Sequence, residues 1–92
     1  MTDRFVLKNI YKSSGVYYFN DDFRYILEEV IKELYYSHKN LTLKLNLKHI
    51  DRAIFKYKQA KEQRQIWNSK KYFKACILSA IKEAALDEFE DL

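Results

Sequence analysis

Apolar residues recur at a helical spacing over most of this chain. From Phe23 to Tyr35 they stand at i, i+3, i+4, i+7, i+8, i+11 and i+12, which places one continuous stripe on one side of a helix. Asn20 or Asp21 can cap this first predicted helix, which should span residues 21 to 38. The stripe consists of Phe23, Ile26, Leu27, Val30, Ile31, Leu34 and Tyr35.

Two more helices are predicted from the same kind of pattern. The second should run from about Leu47 to Gln63 after a cap at Asn46, and the third from about Lys70 to Asp87 after a cap at Asn68 or Ser69. The expected buried sets are Leu47, Ile50, Ala53, Ile54 and Tyr57 in the second helix, and Phe73, Cys76, Ile77, Ala80, Ile81, Ala84 and Ala85 in the third.

The remaining segments lack a helical period. Residues 41 to 46 alternate Leu with polar residues, which predicts a short extended stretch with one buried side. Near the N-terminus, β-branched and aromatic residues at 5 to 7 and 16 to 19 flank a turn at Gly15, which predicts a short hairpin or else an irregular arm. Trp67 should plug the gap between the second and third helices.

Composition supports a helical fold of modest size. The chain has 92 residues, no Pro and one Gly, whereas sheet-containing domains normally use more turn glycines. Hydrophobic residues make up 48%, enough for a packed core. We therefore expect one all-α, compact three-helix domain: an N-terminal arm or hairpin over residues 1 to 22, then the helices over 23 to 92, with an acidic C-terminal tail at 83 to 92.

The setting predicted for this domain is the cytoplasm. A single cysteine, Cys76, cannot form an intramolecular disulfide and indicates a reducing compartment. Asp3 and Arg4 interrupt any apolar leader, and no apolar run approaches the roughly 20 residues that span a bilayer. We expect no contact with a membrane.

The sequence offers little for catalysis. His38 and His49 fit no zinc spacing, and His49 is expected to pair with a backbone group or a neighbouring side chain. Cys76 lies in an apolar stripe, where a packing role is expected, and no glycine-rich loop is present to hold a phosphate. The prediction is a protein that is not an enzyme and uses no metal, no cofactor and no small-molecule substrate.

The distribution of charge along the chain is the feature that indicates which kind of partner the protein binds. Residues 39 to 74 hold eleven Lys and Arg against two acids, whereas the last ten residues hold five acids and no basic residue. Such a basic face attracts nucleic acid or an acidic protein, although a merely solvated face remains the alternative. The predicted nucleic-acid-binding residues are Lys48, Arg52, Lys56, Lys58, Lys61, Arg64, Lys70, Lys71 and Lys74.

Two subsets of these cations are ordered by helical geometry. Lys48, Arg52 and Lys56 are spaced four apart and share one ridge of the second helix. The lysines at 70, 71 and 74 mark the start of the third helix, where they oppose the helix dipole. Something other than the stability of that helix should therefore explain their position.

Two short motifs carry a resemblance to a known family. Residues 45 to 54 read L-N-x-x-H-I-x-x-A-I, and residues 66 to 80 read I-x-N-x-x-x-Y-F-x-x-x-I-L-x-A. Together they resemble the C-terminal helical domain of replication initiator proteins from plasmids and mobile elements of Gram-positive bacteria, which is similar to the DnaD-type primosome module. The resemblance covers residues 23 to 81. It implies fold-defining roles for Leu45, His49, Ile50, Ile54, Ile66, Asn68, Tyr72 and Leu78, with Asn68 capping the last helix.

Three functions follow from these observations as hypotheses. The resemblance implies replication initiation, through contacts with DNA or with host replication proteins. A phage- or plasmid-encoded protein that docks on a host complex without DNA contact, through its Tyr-rich surface, is the alternative, and a homo-oligomer is left open. A helix-turn-helix regulator is less favoured, because the link at 64 to 69 is longer than the usual turn of about three or four residues.

Overall fold

Helices form nearly all of the chain that can be described. The computed structural model describes residues 3–63 and 68–90, with side chains as far as Leu86. Within these ranges there is no strand, so the predicted all-α class is confirmed. The helices are α1 (Asp3–Ser13), α2 (Asp21–Ser37), α3 (Lys39–Thr42), α4 (Leu47–Gln63) and α5 (Ser69–Glu90), and a 3₁₀ turn (Val16–Tyr18) follows α1.

The central helix α2 forms where its apolar stripe predicts it. The Asn20 side chain caps its start, since Oδ1 accepts a hydrogen bond from the backbone N–H of Phe23 at 3.0 Å. Five members of the stripe are buried and Phe23 is half-buried, but Ile26 is 45% exposed. The exposed Ile26 leaves apolar surface at one edge of α2.

Side-chain caps also fix the starts of α4 and α5. Asn46 Oδ1 accepts the N–H of Lys48 at 2.9 Å, and His49 Nδ1 in turn accepts the N–H of Asn46 at 3.1 Å. The prediction that His49 pairs with a backbone group is confirmed. The side chain of Asn68, rather than that of Ser69, caps α5, because its Oδ1 accepts a hydrogen bond from the backbone N–H of Lys71 at 3.0 Å. The last helix ends later than predicted, inside the acidic segment.

The N-terminal segment is where the predicted hairpin fails. Residues 3 to 13 form α1, whose Leu7 and Ile10 are buried one turn apart against α2 and the other helices. Gly15 then adopts φ 76°, in the left-handed region, and turns the chain into the 3₁₀ segment. The hairpin was wrong because the burial of Leu7 and Ile10, three residues apart as in a helix, outweighs the intrinsic β preference of their neighbours.

The predicted extended stretch at 41 to 46 is also wrong. Residues up to Thr42 form α3, and the Thr42 hydroxyl donates a hydrogen bond to the His38 carbonyl at 2.8 Å. Leu45 is buried at 2% exposure and Leu41 is half-buried, whereas Leu43 between them is 51% exposed. Burial at a spacing of four, not two, shows that the leucines follow a helical turn.

One buried cluster joins α1, the 3₁₀ turn, α2, α4 and α5. The long helix α5 packs against α4 and α2, with Ile77 and Ile81 fully or almost fully buried. The largest fully buried side chains of this cluster are Tyr35, Leu27, Ile31, Leu34, Leu45, Ile50, Ile77 and Ile81. In the described part of the chain, no helix combines the length and the apolar character needed to cross a bilayer. The predicted plug, Trp67, lies outside the described residues, as does Ile66.

Candidate functional site

The lysines at the start of α5 reach across to α2. Lys70 Nζ lies 3.1 Å from Glu33 Oε1 and 3.4 Å from Glu29 Oε2, and Lys74 Nζ lies 3.4 Å from Glu33 Oε2. These ion pairs supply a structural reason for cations that oppose the dipole of α5. The same two lysines are therefore engaged with carboxylates before any external ligand arrives.

A second set of ion pairs joins α4 to α5. Glu83 accepts from Lys56 Nζ, lies 3.6 Å from Arg52 Nη1, and also accepts the Ser79 hydroxyl at 3.2 Å. Lys56 and Arg52 thus share one ridge of α4, as the sequence predicted, but that ridge faces a carboxylate of the neighbouring helix. Glu83 therefore offsets part of the positive charge of Arg52 and Lys56.

The predicted basic face is consequently divided. Arg52, Lys56, Lys70 and Lys74 form ion pairs within the domain. Lys48, Lys58, Lys61 and Lys71 are exposed, and no carboxylate of the described residues pairs with them. Arg64 lies outside the described residues. A nucleic-acid-binding role for these nine residues stays a prediction.

The ion pairs should make the stability of the fold depend on pH in the acid range. The hydrogen bond from Lys70 holds the pKa of Glu33 below its ordinary value of 4.5, and the one from Lys56 does the same for Glu83. Because the folded pKa is depressed, this contribution is fully present above the unfolded value and is lost as the pH falls through the folded value. We expect the free energy of unfolding, measured with urea, to decrease from about pH 5 to about pH 3.

A pair of matched variants isolates the contribution of Glu83. Glu83→Gln removes the titrating group and should flatten part of the acid-range decrease. Glu62→Gln alters an exposed glutamate that forms no ion pair in the described structure, and it should retain the decrease of the unaltered protein. Equal pH dependence in the two variants would contradict a stabilising role for Glu83.

A cleft between α1 and α2 gathers cations that the sequence analysis did not select. It encloses about 330 Å³. Its basic groups come from both helices, and two tyrosine rings lie beside them. The lining residues, here named the α1–α2 cleft, are Arg4, Leu7, Lys8, Tyr11, Tyr17, Glu28 and Lys32.

The cations of the α1–α2 cleft differ from Lys70 and Lys74 of α5 in their partners. Among the described side chains, which cover residues 3–63 and 68–86, no carboxylate forms an ion pair with Arg4, Lys8 or Lys32. Glu28 lines the same cleft, where its backbone carbonyl accepts the Tyr11 hydroxyl at 3.3 Å. Burial, and then the charge of Glu28, raises the pKa of Tyr11, so this phenol stays protonated at neutral pH.

The cleft could not be predicted from the sequence, because the residues of its two walls are far apart in the chain. Arg4 and Lys8 lie in a segment predicted to be a hairpin or arm, and Lys32 lies on the polar side of the first predicted helix. One signal could have found the first wall: Arg4, Lys8 and Lys12 are spaced four apart, which is one ridge of a helix. The contribution of Lys32 required the packing of α1 on α2.

A larger apolar groove of about 650 Å³ lies between α2, α4 and α5. A continuous line of aromatic rings forms its floor: the ring centroids of Phe23 and Phe73 are 6.1 Å apart, and those of Phe73 and Tyr57 are 5.7 Å apart. Lysines stand among these rings. The lining residues, here named the α2–α4–α5 groove, are Phe19, Phe23, Ile26, Glu29, Ile54, Tyr57, Lys58, Lys61, Ser69, Lys70 and Phe73.

Metal-ligating side chains do not cluster at either feature in the described part of the chain. Over the described residues, no group of three or more His, Cys, Asp or Glu side chains is placed to hold a metal ion. Cys76 is buried between α4 and α5, and burial raises the pKa of its thiol, which suits packing better than nucleophilic attack. Both features present charged groups beside aromatic rings.

Comparison with known proteins adds no relatives. A scan against protein-family models finds no match, and searches of curated proteins and of solved structures find none either. The resemblance to replication initiators therefore rests on the two motifs at 45 to 54 and 66 to 80, and it stays a prediction.

Proposed function

We propose that this domain is a non-enzymatic helical module that binds nucleic acid in replication initiation or a related mobile-element process. The observation that carries the proposal is the α1–α2 cleft, where Arg4, Lys8 and Lys32 outnumber one carboxylate, Glu28, and form no ion pair with any described side chain. The two motifs that resemble replication initiators supply the biological setting.

Unpaired cations are the ones that gain most from a phosphate. A lysine that meets a phosphate releases condensed counterions, and this release drives the salt-dependent part of binding. Lys70 and Lys74 would first have to exchange Glu33 for the phosphate, whereas Arg4 and Lys8 lose only water. The α1–α2 cleft is therefore the stronger candidate for phosphate contacts than the start of α5.

The tyrosines of the cleft add a second kind of contact. Tyr17 is 46% exposed, so its ring presents apolar surface next to the cations. Aromatic rings bind unpaired bases by stacking, which contributes about 1 to 3 kcal/mol per base in single-stranded complexes. Cations beside an exposed ring match the alternation of phosphate and base along a single strand.

The proposal is tested by titrating the protein with labelled single- and double-stranded oligonucleotides at several salt concentrations, followed by fluorescence anisotropy. If the three cations each meet a phosphate, the slope of log K against log salt should be about −2 to −3, from about −0.7 to −0.9 per contact. The double charge reversal Lys8→Glu with Lys32→Glu should weaken binding at least about tenfold and make the slope shallower.

A matched variant distinguishes this cleft from general attraction to a basic protein. Lys44→Glu with Lys82→Glu makes the same change in net charge at two exposed lysines that lie outside both the cleft and the nine predicted nucleic-acid-binding residues. It should lower affinity far less than the cleft variant. An equal loss in both variants would place the contact elsewhere, and absence of binding at low salt would exclude a direct nucleic-acid role.

A second candidate function, docking on a host protein without DNA contact, is favoured by the exposed tyrosines. Tyr18, Tyr25 and Tyr36 are 85%, 64% and 61% exposed, and tyrosine is enriched at protein interfaces. A pull-down from nuclease-treated host lysate separates the two functions. A partner retained without nucleic acid, and lost in a Tyr25→Ala variant, supports protein docking.

A further inference from the structure

We propose that the α2–α4–α5 groove binds the acidic C-terminal end of α5 from a second copy of this chain, forming a two-fold dimer. The proposal rests on the groove and on the charge distribution along α5, and does not depend on nucleic-acid binding. It concerns residues at opposite ends of the same helix.

The groove is complementary to a ligand that is both apolar and negatively charged. Its floor is aromatic, and Ile26 on its α2 side remains 45% exposed although it belongs to the apolar stripe of that helix. Lys58 and Lys61, one turn apart on α4, are exposed at the groove and pair with no carboxylate in the described structure. Burying the rings while meeting both ammonium groups requires apolar side chains next to carboxylates.

The C-terminal end of this chain has that composition. From Leu86 to Leu92 the sequence places Leu, Phe and Leu among four acids and contains no basic residue. Leu86 is 61% exposed, and α5 continues past it to Glu90. The acids are Asp87, Glu88, Glu90 and Asp91.

Helix length prevents the two features from meeting within one molecule. Lys70 lines the groove near the start of α5 and Glu90 ends that helix, so at 1.5 Å per residue they are about 30 Å apart. Two copies with antiparallel α5 helices would each bring an acidic end to the groove of the other. Both contacts then form together, and the two-fold axis closes the assembly.

The experiment measures self-association of the full chain by sedimentation velocity over a range of concentrations at low salt. The groove variant Lys58→Glu with Lys61→Glu and the tail variant Glu88→Lys with Glu90→Lys should each raise the dimer dissociation constant at least about tenfold. An equimolar mixture of the two variants should restore dimers, because each reversed groove then meets a reversed tail.

Matched controls make each outcome decisive. Lys44→Glu with Lys48→Glu and Lys8→Glu with Lys32→Glu carry the same charge change outside the groove, and both should dimerise like the unaltered protein. Circular dichroism must show all variants folded. An unaltered protein that stays monomeric, dimers that persist in the groove variant, or a mixture that fails to restore them would overturn the proposal. If the groove instead binds a different protein, the unaltered protein would stay monomeric.

Discussion

Leu34→Ala is expected to lower the free energy of unfolding by about 2 to 5 kcal/mol, the range for removing a leucine side chain from a packed core. Leu34 is fully buried on α2, the helix that contacts α1, α3 and α5. Alanine would leave a cavity where those elements meet, and helices of this length cannot shift to fill it without losing other contacts. Urea unfolding followed by circular dichroism measures the loss.

The same substitution at an exposed site provides the control. Leu43, which follows α3, is 51% exposed, so Leu43→Ala should change the free energy of unfolding by no more than about 0.5 kcal/mol. A similar cost at both positions would show that α2 does not form the centre of the core. A small cost at Leu34 alone would mean that the surrounding helices repack around the deletion.

Gly15→Ala is expected to destabilise the fold by about 1 to 3 kcal/mol, because the added methyl group causes both backbone strain and a steric clash. The backbone of Gly15 has φ 76° and ψ 20°, a left-handed conformation that costs other residues about 1 kcal/mol or more. An added Cβ would also lie 2.7 Å from Leu47 Cδ1, closer than van der Waals contact allows. Thermal and urea unfolding of the single variant measure the sum.

A double-mutant cycle separates the two penalties. In a Leu47→Ala background the close contact disappears, and the remaining cost of Gly15→Ala should fall to the backbone contribution of about 1 kcal/mol. An identical cost in both backgrounds would assign the whole effect to the dihedral angle. A neutral Gly15→Ala would contradict the turn between α1 and the 3₁₀ segment.

The ion pairs change how the basic stretch of this chain is interpreted. Lys70 pairs with Glu29, and Lys74 pairs with Glu33. Each glutamate is on α2 and precedes its lysine by 41 residues. Such partners cannot be assigned from local spacing, because the packing of α5 against α2 sets the distance. A run of lysines in the sequence therefore overstates the charge available to a ligand. Among the described residues, cations without an ion pair lie both on α1 and α2 (Arg4, Lys8 and Lys32) and on α4 and α5 (Lys48, Lys58, Lys61 and Lys71).

Local errors in the sequence analysis share one physical cause. Phe5 and Val6 favour a strand by intrinsic preference, and the leucines at 41, 43 and 45 alternate as in a strand. Both segments are short, so a few tertiary contacts decide their conformation. The burial of Leu7 and Ile10 selects the helix α1, and the burial of Leu45 with Leu43 exposed selects a turn after α3.

The amino-acid sequence by itself determined the all-α class, the spans of α2 and α4, and the cap at Asn46, and it narrowed the other two caps to Asn20 or Asp21 and to Asn68 or Ser69. These features depend on side-chain spacing and on hydrogen bonds between residues two or three apart, which a linear pattern contains. Only the tertiary structure decided that the N-terminal segment is a helix, which cations are paired, and where an aromatic groove opens. Those outcomes depend on contacts between residues tens of positions apart, whose energies exceed local preference and leave no periodic trace in the chain.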